Sequence, residues 1–214
     1  MKFHIYITIV VGTISVMCQN PKRVLPSMEQ KAVSDQDLPY QDMFKPLDGI
    51  WSGTFRIYEN PSGQEILGDR DGPIVLDSNQ IKTFDLISAI QVRQKYQSLT
   101  PYYQTVEIRD TYHGDGDTTL VESFGVNKIE NGRIWCIVKK PDEQIIHEGS
   151  WEAPHTIIWT RWEKQPLKKE YFRETVMENT YTILGYGYYG SDDPELAPKT
   201  WFIGNYARLS DYFR

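Results

Sequence analysis

Short runs of alternating apolar and polar residues, separated by turn residues, fill the chain from Leu47 onward. In the first run, LDGIWSGTFRIYE, Trp51 and Phe55 fall on one side while Ser, Thr and Arg alternate with them on the other. This alternation is typical of a β-strand with two distinct faces. Later runs are interrupted by Gly, Asn and Asp, as in HGDGD at 113–117 and ENG at 130–132, which suit chain reversals. The pattern predicts an all-β domain with its strands in meander order.

A meander of this length must protect its edge strands, and closure into a barrel removes them. We therefore predict an antiparallel up-and-down β-barrel of about 8–10 strands. Residues 81–98 are the uncertain member, because their pattern fits either a strand or a helix. A barrel of this size either fills itself with side chains or holds one small ligand.

Several predicted strands mix aromatic and polar residues on both faces, as in YQTVEIRDTYH and TYTILGYGYYG. Two interpretations remain open. Either the aromatic residues pack a core and the charged residues pair across strands outside it, or the interior is a small-molecule pocket lined by aromatic and a few ionisable groups. In the second interpretation the candidate ligand-binding residues are Phe55, Trp159, Tyr186 and Tyr188.

The first eighteen residues have the pattern of a signal peptide. Lys2 precedes an apolar stretch at 5–17, which is shorter than the roughly 20 residues that a membrane-spanning helix needs. Cleavage after Cys18 would leave Gln19 as the new terminus. In the alternative, Cys18 is acylated and tethers the protein to a membrane. We expect an exported protein, either periplasmic or secreted, with a membrane-anchored lipoprotein as the competing form.

Residues 19–46 are polar, contain several prolines and show no sustained period. This composition predicts a linker, with a short N-terminal helix around 40–44 that leads into the barrel. The barrel domain would then span residues 47–214. No second domain is needed for a chain of this length.

Charge and cysteine content narrow the range of partners. The chain has 23 Lys and Arg against 29 Asp and Glu, a formal net charge of −6, and no basic run exceeds two residues. This balance argues against a nucleic-acid partner. With residues 1–18 removed, Cys136 is the only cysteine, so no intrachain disulfide forms, which is more typical of bacterial than of animal exported domains. We expect Cys136 to be a buried, inert thiol, and we predict no obligate protein partner.

Gly49 and Trp51 at the start of the first strand, with Arg208 in the last, resemble the signature of the lipocalin and calycin superfamily. In that signature a Gly-x-Trp begins the first strand and a basic residue of the closing strand lies across the indole. The final third of the chain is also similar to the late strands of fatty-acid-binding proteins and of bacterial lipocalin-like barrels. The resemblance implies structural roles for Gly49, Trp51 and Arg208, with a cation–π contact of about 0.5–2 kcal/mol closing one end. A Thr-Asp-Tyr motif and paired cysteines are missing from the sequence, so ligands of the animal proteins are not implied.

Candidate catalytic chemistry centres on His147, which alternates with apolar neighbours and whose imidazole can act as acid or base near neutral pH. If Arg109 and Tyr186 converge with His147 inside the barrel, they can clamp a carboxylate and move a proton beside it. His113 and His155 do not fall at a metal-ligand spacing, and the sequence lacks a nucleophile elbow and a phosphate-binding glycine loop. We therefore predict no metal and no cofactor.

These features leave two main hypotheses. The first is an exported barrel that carries or sequesters a small amphipathic or hydrophobic ligand. The second is a cofactor-independent lyase, dehydratase or isomerase that acts on a small acidic substrate such as a sugar acid. A weaker third hypothesis is an envelope protein that uses its barrel as an interaction module.

Overall fold

Ten antiparallel β-strands form a closed barrel in the computed structural model, which describes residues 25–64, 74–114 and 116–209. The strands are β1 Gly49–Glu59, β2 Asp85–Thr100, β3 Tyr103–His113, β4 Thr118–Glu130, β5 Arg133–Lys139, β6 Gln144–Ala153, β7 Thr156–Lys164, β8 Leu167–Met177, β9 Thr180–Tyr189 and β10 Thr200–Arg208. Each strand pairs with the next along the chain, and β1 closes the barrel by pairing with β10. The predicted antiparallel up-and-down barrel is confirmed.

The ambiguous segment 81–98 contains the end of one short helix and most of a long strand. Helix α1, Ser78–Ile81, begins at Asp77, whose carboxylate accepts a hydrogen bond from the Asn79 backbone N–H. The chain then turns into β2, in which buried and exposed residues alternate from Ile90 onward. That alternation is the period of a strand with one face toward the interior, so tertiary pairing resolved the ambiguity in favour of β2.

The N-terminal helix predicted around 40–44 is wrong. The chain instead forms two single-turn 3₁₀ helices, Leu38–Tyr40 and Lys45–Leu47, and the α-helix of the described residues is α1, beyond the first strand. Pro39 and Pro46 each fall in the first turn of a 3₁₀ helix, where the missing proline N–H has no intrahelical partner to lose. Asp42, with a φ of 60°, interrupts the segment between the two turns.

Residues 25–46 lie against the barrel. Phe44 is buried in a cluster with residues of β4, β5 and β7, and the Tyr103 hydroxyl donates to the backbone carbonyl of Met28 at 2.8 Å. Asp37 is also buried, and its carboxylate accepts a hydrogen bond from a backbone N–H of the β4–β5 turn. This part of the chain therefore covers the outer wall near Met28 and closes over the end of the barrel at which β1 begins, near Phe44.

Inward-facing apolar residues concentrate at the end of the barrel where β1 begins, which we call the sealed end. A buried cluster there and beyond it contains Leu47, Trp51, Ile90, Val92, Tyr96, Val106, Val176, Tyr181, Ile183 and Tyr206. We call the opposite end, where β5 stops and β6 starts, the far end. Between the two the interior is not filled.

Candidate functional site

The interior of the barrel encloses a cavity of about 320 Å³. This volume lies at the lower end of the range for small-molecule sites, about 300–1,000 Å³. The wall is mainly apolar and aromatic, with contributions from Phe55, Trp159 and Phe172 among others. Besides tyrosines and one cysteine, the polar side chains on the wall are Gln94, Asp110, Asn127, Lys140, His147 and Glu174.

Glu174 of β8 is the carboxyl group in the depth of this cavity. The Trp159 indole N–H and the Tyr181 hydroxyl donate hydrogen bonds to it. Burial raises the pKa of the Glu174 carboxyl to about 7, and these two hydrogen bonds oppose the rise. Within the part of the chain that the structure describes, no Lys, Arg or His forms an ion pair with it. Glu174 is therefore present in both protonation states near neutral pH.

Tyrosines surround this carboxyl group. The rings of Tyr181 and Tyr206 stack with their centroids 5.0 Å apart, and Tyr96 meets the Tyr181 ring edge-on at 6.3 Å. Burial and the neighbouring Glu174 charge raise the pKa of all three hydroxyl groups. These tyrosines are therefore neutral at physiological pH, and they present rings and hydroxyl groups without supplying a counter-charge.

The second acid on the cavity wall, Asp110, has a different environment. Burial raises the pKa of its carboxyl group, while the positive charge of Lys140 lowers it. Lys140 follows β5 and lines the same cavity, so the cavity extends to the far end. Asp110 thus has a cation nearby, whereas Glu174 has none.

A group of hydrogen-bonded residues near the far end, which we call the Glu170 cluster, contains Glu170, His147, Tyr189 and Arg161. His147 Nε2 lies 3.1 Å from one carboxylate oxygen of Glu170, and the Tyr189 hydroxyl donates to the other at 2.8 Å. Arg161 Nη1 lies 3.6 Å from the same carboxylate, and its side chain is 4% exposed. Burial would raise the pKa of Glu170, but His147, Tyr189 and Arg161 together hold it below its ordinary value.

The Glu170 carboxylate also determines which ring nitrogen of the neutral His147 imidazole carries the hydrogen. An ionised carboxylate only accepts hydrogen bonds, so His147 Nε2 must carry a hydrogen. In a neutral imidazole Nδ1 is then the basic nitrogen. Because His147 also lines the cavity, the arrangement can accept a proton from a bound molecule.

Three of the residues selected from the sequence, Phe55, Trp159 and His147, lie on the cavity wall. They come from β1, β7 and β6, so closure of the barrel brings them to one space. The Phe55 ring stacks on Phe202 with centroids 5.6 Å apart, and the His147 ring lies edge-on to Phe172 at 5.6 Å.

The structure does not bring Arg109 and Tyr186 to His147. Asp110 lines the cavity, so its neighbour Arg109 faces outward, where it forms a 2.7 Å ion pair with Glu122. Tyr186 stacks on Tyr171 of the adjacent strand, with centroids 5.2 Å apart, on the outer face. The predicted convergence of the three residues is therefore wrong, because strand parity puts two of them on the other side of the wall.

Tyr188 also lies away from the cavity, although it was selected as a ligand-binding residue. It is 1% exposed, and its hydroxyl donates to the backbone carbonyl of Leu196 at 2.9 Å. Lys169 Nζ lies 5.3 Å from the centroid of its ring. The segment after β9 covers this ring on the outside, and neither Tyr186 nor Tyr188 touches the cavity.

Trp51 and Arg208 meet at the sealed end. Trp51 is fully buried, its indole N–H donates to the Leu47 carbonyl at 2.6 Å, and the Arg208 guanidinium carbon lies 4.2 Å from the ring centroid. The same guanidinium donates to the Pro46 carbonyl at 2.8 Å. Gly49 has a φ of 120°, and a Cβ there would lie 2.9 Å from Arg208 Nη1. A larger residue at 49 would therefore displace the guanidinium as well as strain the backbone.

Sequence reasoning missed Glu170 and Glu174, although one signal for them exists. In EYFRETV, Glu170 and Glu174 alternate with Phe172 and Val176, so both acids share a face with apolar residues. An acid on an apolar face is a reason to suspect a buried carboxyl group. The partners of the two acids could not be found in this way, because they belong to other strands.

The signal peptide over 1–18 and Cys18 lie outside the described residues. Within the described ranges, no three His, Cys, Asp or Glu side chains are grouped so that they could hold a metal ion. In the same part of the chain, none of the helices has the length and apolar character needed to cross a membrane.

The sequence matches no protein-family model and no curated protein. Among solved structures, the Rv2717c protein from M. tuberculosis aligns with a TM-score of 0.47 at 9% identity, covering 84% of this chain and 100% of that one. A redesigned β-barrel aligns with a TM-score of 0.36 at 13% identity, covering 79% of this chain and 97% of that one. Similarity at this level transfers neither a ligand nor an activity.

Proposed function

We propose that this protein is an exported, calycin-type barrel that binds one small hydrophobic or amphipathic molecule in its interior. The observation that supports this most strongly is the cavity of about 320 Å³ with a largely aromatic and aliphatic wall. Burial of apolar surface against such a wall supplies most of the affinity for small ligands.

Two further observations agree with this proposal. The Trp51 and Arg208 contact closes one end of the barrel, so a ligand would enter from the far end, where Lys140 marks the limit of the cavity. The apolar stretch at 5–17 is the basis for proposing export. Acylation of Cys18 would add a membrane tether and leave the interior site unchanged.

An enzymatic function is the second candidate, and one observation favours it. The Glu170 carboxylate orients His147, which lines the cavity, and this is the usual arrangement for a general base. A small acidic substrate fits this interior less well, since Asp110 and Glu174 already place two acids on the wall and Lys140 is set against one of them. A neutral substrate with an acidic C–H or O–H bond suits the site better.

The decisive experiment fills the cavity and measures binding. Val138 lies on the cavity wall, so Val138→Trp should weaken binding of the neutral probe N-phenyl-1-naphthylamine by at least about tenfold, measured by probe fluorescence. The matched control is Leu120→Trp, because Leu120 is 51% exposed. Equal binding by both variants would place the probe elsewhere and overturn the proposal.

Native mass spectrometry of protein purified from its source separates the two functions. A co-purifying amphipathic molecule supports a carrier. An empty barrel that turns over small substrates, with turnover lost in His147→Gln, would replace the carrier with the enzyme.

A further inference from the structure

The cavity has an uncompensated acid in its depth. Lys140 offsets Asp110 at the far end, and the cluster around Glu170 contains its own cation, Arg161. Among the described residues, the hydrogen bonds to Glu174 come from the neutral side chains of Trp159 and Tyr181.

Among the described residues, those immediately around Glu174 add aromatic surface and no lysine or arginine. Trp159, Tyr181, Tyr96 and Tyr206 come from four different strands and all line the cavity beside it. Aromatic rings combined with an anionic group are the usual way in which proteins recognise ammonium groups. Those same side chains provide no cation for a ligand carboxylate, which would face both Glu174 and Asp110.

We propose that the natural occupant of the cavity is a cationic amphiphile, a small molecule whose protonated amine contacts the Glu174 carboxylate while its hydrocarbon or aromatic body fills the rest of the space. This inference rests on the proposed function and specifies its ligand class. An ammonium ion at Glu174 supplies the missing counter-charge, and it donates hydrogen bonds to a carboxylate that accepts two from the residues that the structure describes.

Binding of such a ligand is coupled to release of a proton. In the empty barrel the pKa of Glu174 is about 7, so below neutral pH the carboxyl group must lose its proton to solvent when an ammonium ion binds. Affinity for an amine therefore rises as the pH rises toward and past 7. Affinity for a carboxylate ligand falls over the same range, and affinity for an alcohol changes little.

Other groups around the site do not reverse this pH dependence of amine affinity. Those that titrate or carry charge on the cavity wall or in the small pocket at the sealed end are Tyr96, Asp110, Tyr112, Cys136, Lys140, His147, His155, Tyr181 and Tyr206. Burial raises the pKa of the four tyrosine hydroxyl groups and of the Cys136 thiol and keeps them protonated.

The test compares octylamine, 1-octanol and octanoate as competitors of N-phenyl-1-naphthylamine, with the full chain at pH 8 and pH 5.5. We expect octylamine to bind at least about tenfold more tightly than octanol at pH 8, since a hydrogen bond to a charged group is worth that much. At pH 5.5 this advantage should shrink by about tenfold, because most of Glu174 is then protonated. Octanoate should be the weakest ligand at pH 8.

Variants assign the effect to one residue. In Glu174→Gln the affinity for octylamine should fall to that for octanol, while octanol binding is unchanged. Glu107→Gln, which removes an exposed acid paired with Lys95 on the outer wall, should behave like the wild type. Asp110→Asn should retain the preference for octylamine. A thermal melt of each variant checks that it is folded. The comparison of the three competitors on the wild type needs no variant.

The outcomes are distinct. If octanol or octanoate binds as tightly as octylamine, or if Glu174→Gln keeps the preference for the amine, the inference is wrong while the proposed function stands. If Asp110→Asn instead loses the preference for octylamine, the ammonium group lies at Asp110 and the inference is also wrong. If none of the three compounds displaces the probe, both the inference and the proposed function fail.

Discussion

Glu170 and Glu174 are the same residue type on the same face of β8, four residues apart, yet the charges that surround them differ. Strand register places Glu170 opposite Arg161, whereas Glu174 lies opposite Ile157. Partners within the protein lower the pKa of Glu170, and burial without a cation raises the pKa of Glu174 to about 7.

This difference separates a carboxyl group that stabilises the barrel from one that is available to a ligand. A buried charge that the protein itself neutralises holds strands together, and its partners leave it few free hydrogen-bonding positions. A buried charge without a cation is costly to the folded state, so its presence is better explained by a molecule that arrives later. Glu170 is an example of the first case, and Glu174 is an example of the second.

The largest expected effect comes from removing the cation of the Glu170 cluster, which would make Glu170 resemble Glu174. Arg161→Met should lower the free energy of unfolding at pH 7 by about 3–5 kcal/mol, because it leaves Glu143, Glu163 and Glu170 without their shared partner. Urea unfolding measures this. The double variant Arg161→Met, Glu170→Gln should recover part of the lost free energy of unfolding.

Arg109→Met is the control for this prediction. The ion pair between Arg109 and Glu122 lies on the outer wall, with more than half of each side chain exposed. Its loss should cost about 1 kcal/mol or less. Equal losses in the two arginine variants would contradict the assignment of Arg161 to a buried cluster.

The next effect concerns Glu174 and depends on pH. Because its folded pKa of about 7 is above the ordinary 4.5, the folded state binds the proton more tightly than the unfolded state does. The resulting stabilisation is complete below pH 4.5, is lost as the pH rises to 7 and amounts to about 3 kcal/mol. Glu174→Gln should therefore match the wild type near pH 4.5 and exceed its stability by about 3 kcal/mol at pH 8.

Urea unfolding at both pH values tests the Glu174 prediction. A constant difference between Glu174→Gln and the wild type from pH 4.5 to pH 8 would show that the carboxyl group titrates normally in the folded state.

A smaller effect should follow from His147→Gln, at a cost of about 2 kcal/mol for a hydrogen bond to a charged group. The pKa of Glu170 is lowered in the folded protein, so Glu170 adds stability above its unfolded pKa and loses it as the pH falls through the folded value. Without His147 the folded pKa rises, and the acid-induced loss of stability should begin at a higher pH. Carbon NMR of the glutamate carboxyl groups measures this shift, and His113→Gln, at an exposed position, should leave it unchanged.

The smallest effect is expected for Tyr189→Phe, which removes one hydroxyl donor to Glu170. The cost should be about 1.5 kcal/mol, the lower end of the range for a hydrogen bond to a charged group. Tyr186→Phe, on the outer face, should leave the pKa of Glu170 unchanged. If both tyrosine variants shift that pKa equally, the Tyr189 contact is not specific.

Much of the fold followed from the sequence, but the site followed only in part. The alternating runs predicted the strands and closure of the barrel, and the alternation of His147 with apolar neighbours selected a residue that lines the cavity. The same reasoning chose Arg109 and Tyr186, which lie one position out of phase with the cavity. Alternation defines two faces, but it does not say which one is inside when both carry aromatic and polar groups.

The sequence by itself determined the all-β fold, its meander order and the Gly49 and Trp51 pattern at the first strand, because these depend on residues that are close along the chain. Only the tertiary structure decided which faces point inward and which residues meet. Arg161 and Glu170 are neighbours through strand pairing, and Trp159, Glu174 and Tyr181 meet only because three strands lie side by side. The pKa of a carboxyl group depends on such neighbours across strands, so the contrast between Glu170 and Glu174 exists only in the closed barrel.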